Sequence, residues 1–591
     1  MNKRIMALAA VGVVGLMTVT SACSGNANKS TGAGGSKSSA ASGTFNAAAT
    51  SIVNPSTKKG GTVHFLSTQD VDSLDPAVAY YAFAWNLQQL YTRTLVAYPM
   101  KPGAAGLALA PDLASAMPTV TNGGKTYTFT LKSGVKFDDG APITSEDIKY
   151  GIERSFAQDV LPGGPTYLIA DLDEGQHYPG PYKDKDPNKM GLKSVQTPND
   201  STIVFNLSQP NSDFLFHLAM GSASPVEPSK DTGAKYAQAP ESSGPYKISS
   251  YVPQKSITFV RNPNWSAATD TIRQALPNGY TFTIDTNAND VDSQLMAGTA
   301  DIDAGQRGVQ TAAQAKILTN PTLKANTVFA PENTIRYISM QTKVAPFNNI
   351  HCREAVEYAT SGTDQLTARG GQWAGALATS MLPPTTLGAD KYDPYGLAAG
   401  KAQVDKAKQQ LSLCGKPNGF STVIAARSTS PKDVAQAVAL QNSLKQVGIT
   451  TTIYQYDGSK SSSIVGAPAV MHSKDIGLNI FGWGSDYPTA SGFLGVLVNG
   501  DQILKDGNNN FSEVNDPQIQ SLIKAANDTT DANVAASDYT KINHRVMDLA
   551  LYFPGVVEQS LNYYNPRLTN VMFSEELGMI NFAALGTSDG K

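Results

Sequence analysis

Between residues 125 and 137 the chain reads KTYTFTLKSGVKF, a period-two alternation that sets Tyr127, Phe129 and Leu131 on one face of a predicted strand. The polar turn DDGAPITSEDI follows, and Thr144 or Ser145 is expected to cap a helix running through Arg154, with Glu146 and Asp147 in its positive first turn. Upstream, TVHFL reads as a strand and DSLDPA as a turn into a helix over about residues 79–96. Residues 160–198 are rich in Gly, Pro, Asp and Tyr without a sustained period and read as a surface insertion. Strand signal returns at STIVFNL, then twice in SSGPYKISSYVPQKSITFVRNPNW, and VDSQLMAGTADIDAG reads as a short helix followed by a strand.

The second half changes character. REAVEYAT, DKAKQQLSLCG and DVAQAVALQNSLKQVGI all carry helical spacing, and in the last of these Ala437, Leu440, Leu444 and Val447 line one face before Gly448 stops the helix. With STVIAA before it and ITTTIYQY after it, this segment is a predicted βαβ unit of the α/β class. The chain thus contains at least two differently built lobes.

Length and termini sharpen that picture. At 591 residues the chain exceeds a single core, so two or three domains are expected. Lys3 and Arg4 precede the apolar run IMALAAVGVVGLMTV and the small residues TSAC, the layout of a secretory signal peptide over residues 1–22. The run is at or below the roughly 18 residues that span a bilayer. From Cys23 to residue 57 the chain is rich in small and polar residues with no apolar period and reads as a flexible linker. In an oxidising compartment Cys352 and Cys414 form an even pair, which is either a disulfide or two separately buried thiols. A net charge of -3, with 46 basic and 49 acidic residues dispersed along the chain, offers no patch for nucleic acid.

No GxSxG elbow, P-loop, HExxH, Rossmann glycine pattern or zinc spacing occurs. His64, His177, His217, His351, His472 and His544 are isolated from one another and read as packed or surface residues, so neither metal nor cofactor is expected. The stretch that most resembles a site is FGWGSDYPTASGF, residues 481–493, where Asp486 lies between Trp483 and Tyr487 and next to Ser485. A lone carboxylate there suits a bound cation or caps the turn before Pro488.

PDLA at 111–114 and KTYTFTLKSGVKFDDGAPITSEDIKYGIER at 125–154 resemble the signature of the family 5 extracellular solute-binding proteins, the peptide- and nickel-binding components of ABC importers. DSLDPA (72–77), SGPYKI (243–248), VRNPNW (260–265), MAGTADI (296–302), FNNIHCREAVEYA (347–359), MLPP (381–384) and LQNSLKQVGI (440–449) resemble further family segments in family order. The resemblance implies an α/β, two-lobed periplasmic-binding-protein-like fold (type II, cluster C) with an extra inserted domain. Lobe I would combine residues 58–93, 229–332 and 554–591, the inserted domain II would span 94–228, and lobe III 333–553. TSAC also resembles the lipobox of bacterial lipoproteins, which would make Cys23 the lipidated first residue of the mature chain, although Thr20 stands where an aliphatic residue is usual.

A family member of this kind captures an oligopeptide between lobes that close by a hinge and hands it to an ABC permease with its ATPase subunits. It would be a monomer anchored by lipid to the outer face of the bacterial membrane, and not an enzyme. WGSDY resembles the Trp-x-x-Asp-Tyr of oligopeptide-binding members, in which the aspartate pairs with the ligand's N-terminal ammonium. By that likeness Asp486 anchors the ligand, with Trp483, Ser485 and Tyr487 around it, and Tyr81 and Phe83 fall where relatives run a strand beside the peptide. Some relatives place an arginine three residues before that tryptophan, where Ile480 stands here, so the holder of the ligand's far end is open. The same fold could instead take a sugar, a nickel chelate or an opine-like cation, and a secreted hydrolase is the alternative from another class.

Overall fold

The computed structural model describes residues 44–505 and 507–590. The signal peptide expected at 1–22, Cys23 and the first part of the linker lie outside the described residues. Among the described residues no helix is long and apolar enough to cross a membrane.

Three larger sheets organise the molecule. A five-stranded sheet runs in the order Ile302–Asp303, Thr62–Ser67, Gly279–Ile284, Ser256–Arg261, Tyr246–Val252, and buries Phe65, Tyr246, Phe259 and Tyr280. A four-stranded sheet contains Thr126–Thr130 between Thr119–Thr121 and Thr202–Asn206, with Val195–Asn199 at its far edge. Its alternation turns Tyr127 and Phe129 inward onto Ile148 and Ile152 of the helix Ser145–Arg154. That helix is capped by Thr144, whose backbone N–H is held by the Asp147 carboxylate at 2.7 Å, completing a capping box.

The six-stranded sheet runs in the order Gly375–Leu377, Tyr552–Tyr563, Thr327–Met340, Ile476–Gly484, Ser421–Arg427, Thr450–Tyr456. Its last two strands pair in parallel, Ser421 opposite Thr450, through the helix Pro431–Lys445, whose Ala437, Leu440 and Leu444 are fully buried. This is the βαβ unit read from the sequence. The fold is α/β with two lobes. The long strands Thr327–Met340 and Tyr552–Tyr563 connect them: Val328 belongs to the core of the five-stranded lobe, whereas Ile335 and Val557 belong to that of the six-stranded lobe. Their register breaks between Pro331 and Ile335, a bulge where the pair passes from one lobe to the other.

Three expectations change. The helix expected at 79–96 is Ala82–Tyr91, because the Asp72 carboxylate takes the backbone N–H groups of Tyr80 and Tyr81 and holds them in a turn. Residues 44–57 are not free linker: the Asn46 amide pairs both ways with the backbone of Phe329 at 2.8 and 2.7 Å, Ala48 is fully buried, and Val53 bridges Val571. Small residues make this close docking feasible. Residues 160–198 are more than a surface insertion, since Leu168, Leu172 and Leu192 are buried and the helix Tyr167–Leu172 approaches Asp486.

Candidate functional site

Asp486 follows the carboxyl end of the central strand Ile476–Gly484, the end at which open α/β sheets present ligand-binding loops. Trp483 is the last well-packed residue of that strand, paired opposite Ile335, and Gly484 faces Thr334. The chain then peels away, Ser485 donating its N–H to the Asn333 carbonyl at 3.0 Å. Asp486 does not cap the turn before Pro488. Its Oδ2 instead accepts the hydroxyls of Tyr80 and of Tyr167, the latter at 2.6 Å. Burial raises the Asp486 carboxyl above the ordinary range, opposed by these two hydroxyls and by the charge of His217.

Behind Asp486 lies a polar and aromatic scaffold. Tyr167 stacks on His217 at 4.8 Å, and Tyr487 meets both rings edge-on. Burial works against protonation of His217, but the carboxylate of Asp171, 2.6 Å away, then those of Asp213 and Asp486, raise it above its usual value. Asp213 in turn accepts Thr489 Oγ1 at 3.0 Å and the Ser491 hydroxyl. The turn carrying Asp486 is thereby tied to residues 167–217 on one side and to Tyr80 on the other.

Asp486 opens onto a cavity of about 890 Å³ between the two lobes. Of the residues singled out from sequence, Tyr81, Phe83, Ser485 and Asp486 line it, and the Ser485 hydroxyl is buried without a hydrogen-bond partner among the described residues. Trp483 and Tyr487 lie elsewhere. The Trp483 ring packs on the core of the six-stranded lobe and its Nε1 donates to the Gly492 carbonyl at 3.0 Å, while Tyr487 is 5% exposed within the aromatic scaffold. The Cys352 and Cys414 sulphurs are joined, with Cα atoms 5.3 Å apart, remote from this wall.

The cavity floor is built on the two connecting strands. Glu558 binds Arg336 at 2.8 Å and also Arg369, and Arg369 reaches Asp433 at 3.2 Å. Burial disfavours the Glu558 charge, yet Arg336 and Arg369 bring the group down to about 2. Glu332, buried beside Glu558 and accepting from Ser560 Oγ at 2.6 Å, is pushed up to about 7. Two further cations line the cavity, Arg307 and Lys432, both exposed and in no ion pair among the described residues. Ile480 is fully buried opposite Ile338 and takes no part. Sequence reading missed Tyr80, Tyr167, Arg307 and Lys432, which come from four separate segments.

Known proteins resemble the chain over most of its length. The pattern that defines the bacterial extracellular solute-binding proteins, family 5 (middle), matches residues 108–504. A heme-binding protein A of Haemophilus influenzae is 26% identical, covering 86% of this chain and 89% of its own. A probable D,D-dipeptide-binding periplasmic protein of Escherichia coli K12 is 24% identical over 82% of this chain and 86% of its own. Among solved structures, an oligopeptide-binding protein 2 of clavulanic acid biosynthesis superposes with a TM-score of 0.88 at 40% identity, covering 93% of this chain and 99% of that one.

Proposed function

This chain belongs to the family 5 bacterial extracellular solute-binding proteins, and from that premise we propose that it is the oligopeptide receptor of an ABC importer. The observation that carries the reading is one carboxylate, Asp486, held at the wall of a large interlobe cavity by two tyrosine hydroxyls and in no ion pair among the described residues. An enclosed ammonium needs such a partner, because an unpaired buried charge is prohibitively costly. Arg307 and Lys432, on opposite lobes and unpaired among the described residues, are suited to the ligand's carboxylate. On this reading they hold the ligand end for which Ile480 offers no partner. The peptide-binding names of two relatives support the same choice.

In this reading the ligand bridges the lobes and draws them together about the bulge at Pro331–Ile335, and permease and ATPase subunits do the transport. Lobe I comprises residues 58–93, 229–332 and 554–591, domain II 94–228 and lobe III 333–553. Cys23 carries the lipid that holds a monomer at the outer face of the bacterial cell membrane, and no chemistry is done on the ligand.

Mass spectrometry of ligand released from the purified chain tests the class directly. A peptide is expected, and recovery of a sugar, a metal chelate or cleaved fragments would replace this reading. Asp486→Asn should cost free-amine peptides about 2–5 kcal/mol of binding and leave N-acetylated ones nearly unaffected, by calorimetry; equal losses for both would remove Asp486 as the ammonium anchor.

A further inference from the structure

The strands Phe573–Ser574 and Met579–Ile580 form a hairpin near the C-terminus with Glu576 in its turn. Asn333, at the bulge between the lobes, holds this turn by donating Nδ2–H to the carbonyls of Glu575 at 2.7 Å and Glu576 at 2.9 Å. The same residue's carbonyl takes the N–H of Ser485 at 3.0 Å. One asparagine therefore fixes both Glu576 and the segment bearing Asp486 at a common end of the cavity.

A side pocket of about 60 Å³ branches off there, with Asp486, Glu576 and Trp85 lining both it and the main cavity. By volume it holds about two waters at roughly 30 Å³ each, room for the polar head of a long basic side chain. Arg93 and Arg273 are also on its wall but are already matched: Arg93 Nε to Asp112 at 2.8 Å, Arg273 Nη1 to Asp112 at 2.9 Å and to Asp270 at 3.2 Å. Glu576 differs. Its carboxylate takes one long hydrogen bond, 3.3 Å from Ser574 Oγ, and no ion pair among the described residues. Burial pushes it up to about 8, as befits a carboxyl lacking a cation. A carboxyl so sparsely paired is satisfied by a donor or a cation and not by an apolar group.

We propose that this branch is a subsite for a cationic side chain on the ligand's first residue, with a guanidinium or ammonium on Glu576, its alkyl stem against Trp85, and the α-ammonium on Asp486. The proposal rests on the peptide reading and narrows it to peptides that begin with a basic residue. An aliphatic or aromatic side chain would leave Glu576 without a partner, which sets the selectivity.

Two mixed-length peptide pools identical except for their first residue, arginine in one and its neutral isostere citrulline in the other, are titrated into the purified full-length chain. The arginine pool is expected to bind about tenfold tighter or more. Glu576→Gln should erase that preference by bringing the arginine pool's affinity down to that of the citrulline pool. Equal affinity of the two pools for the native chain, a comparison that needs no variant, would overturn the subsite while sparing the peptide reading. A preference that survives in Glu576→Gln would likewise overturn it. Failure of both pools to bind would remove the peptide reading and the subsite together.

Discussion

Tyr80 and Tyr167 reach Asp486 across 406 and 319 residues of sequence, and that separation is why neither was legible. Asp486 could be read because a local motif carries it. The tyrosines sit in a turn and in a six-residue helix, where no period distinguishes a partner of Asp486 from any other residue. Trp483 shows the converse: the motif that singles it out is real, but the strand's pleat turns its ring into the lobe core. A second long-range pair joins two of the segments on which the family resemblance rests. Asp75 of DSLDPA and Arg154 at the end of the signature helix form a bidentate bond, Nη1–Oδ1 2.9 Å and Nη2–Oδ2 2.7 Å, both fully buried. Asp75→Asn leaves a buried guanidinium with Asp231, 3.1 Å from its Nε, as its one remaining ion pair among the described residues, and the Tyr236 ring 4.5 Å away. The variant should lose about 3 kcal/mol of stability in urea unfolding.

At the level of elements, those with long or repeated patterns were legible and short ones were not. The βαβ unit and the strand Thr126–Thr130 announce themselves through period and cap, whereas the helix Tyr167–Leu172 and the docked residues 44–57 depend on tertiary contacts that no local pattern encodes. The disulfide is an element-scale brace. It ties the helix Ile350–Ala359 to the end of the helix Val404–Leu413, closing a loop with a sequence separation of 62. On the loop-entropy account, opening such a loop costs about 4 kcal/mol. Thermal melting with and without reductant should show a corresponding fall, and Cys352→Ser with Cys414→Ser should reproduce it without reductant.

For the molecule as a whole, the buried acids set the response to pH. Burial holds Glu153 and Glu576 up at about 8, Glu241 at about 7 and Asp292 at about 6, and burial with the charge of Glu558 holds Glu332 at about 7. Above the unfolded value near 4.5 the unfolded chain has released these protons while the folded chain keeps them, so stability falls as pH rises towards 8. His217, raised by Asp171 against its burial, acts in the same sense, losing its contribution as pH climbs through its folded value. Glu558 and Asp270 lie at about 2 because arginine neighbours outweigh their burial, and their contribution disappears only in stronger acid. The ligand-free protein should therefore melt highest near about pH 5 and progressively lower towards pH 8, by scanning calorimetry. A flat profile would mean that water reaches these carboxyls.

The four tryptophans divide evenly between the cleft and the framework. Trp85 and Trp373 line the interlobe cavity, from the helix Ala82–Tyr91 of one lobe and the turn Gly371–Trp373 of the other, while Trp265 and Trp483 have their indole N–H groups bound to Asp270 and the Gly492 carbonyl at 3.0 Å each. A ligand filling the cavity would meet the first pair and not the second. Tryptophan emission of the purified chain is therefore expected to shift when peptide is added, and an unchanged spectrum would mean that ligand reaches neither Trp85 nor Trp373.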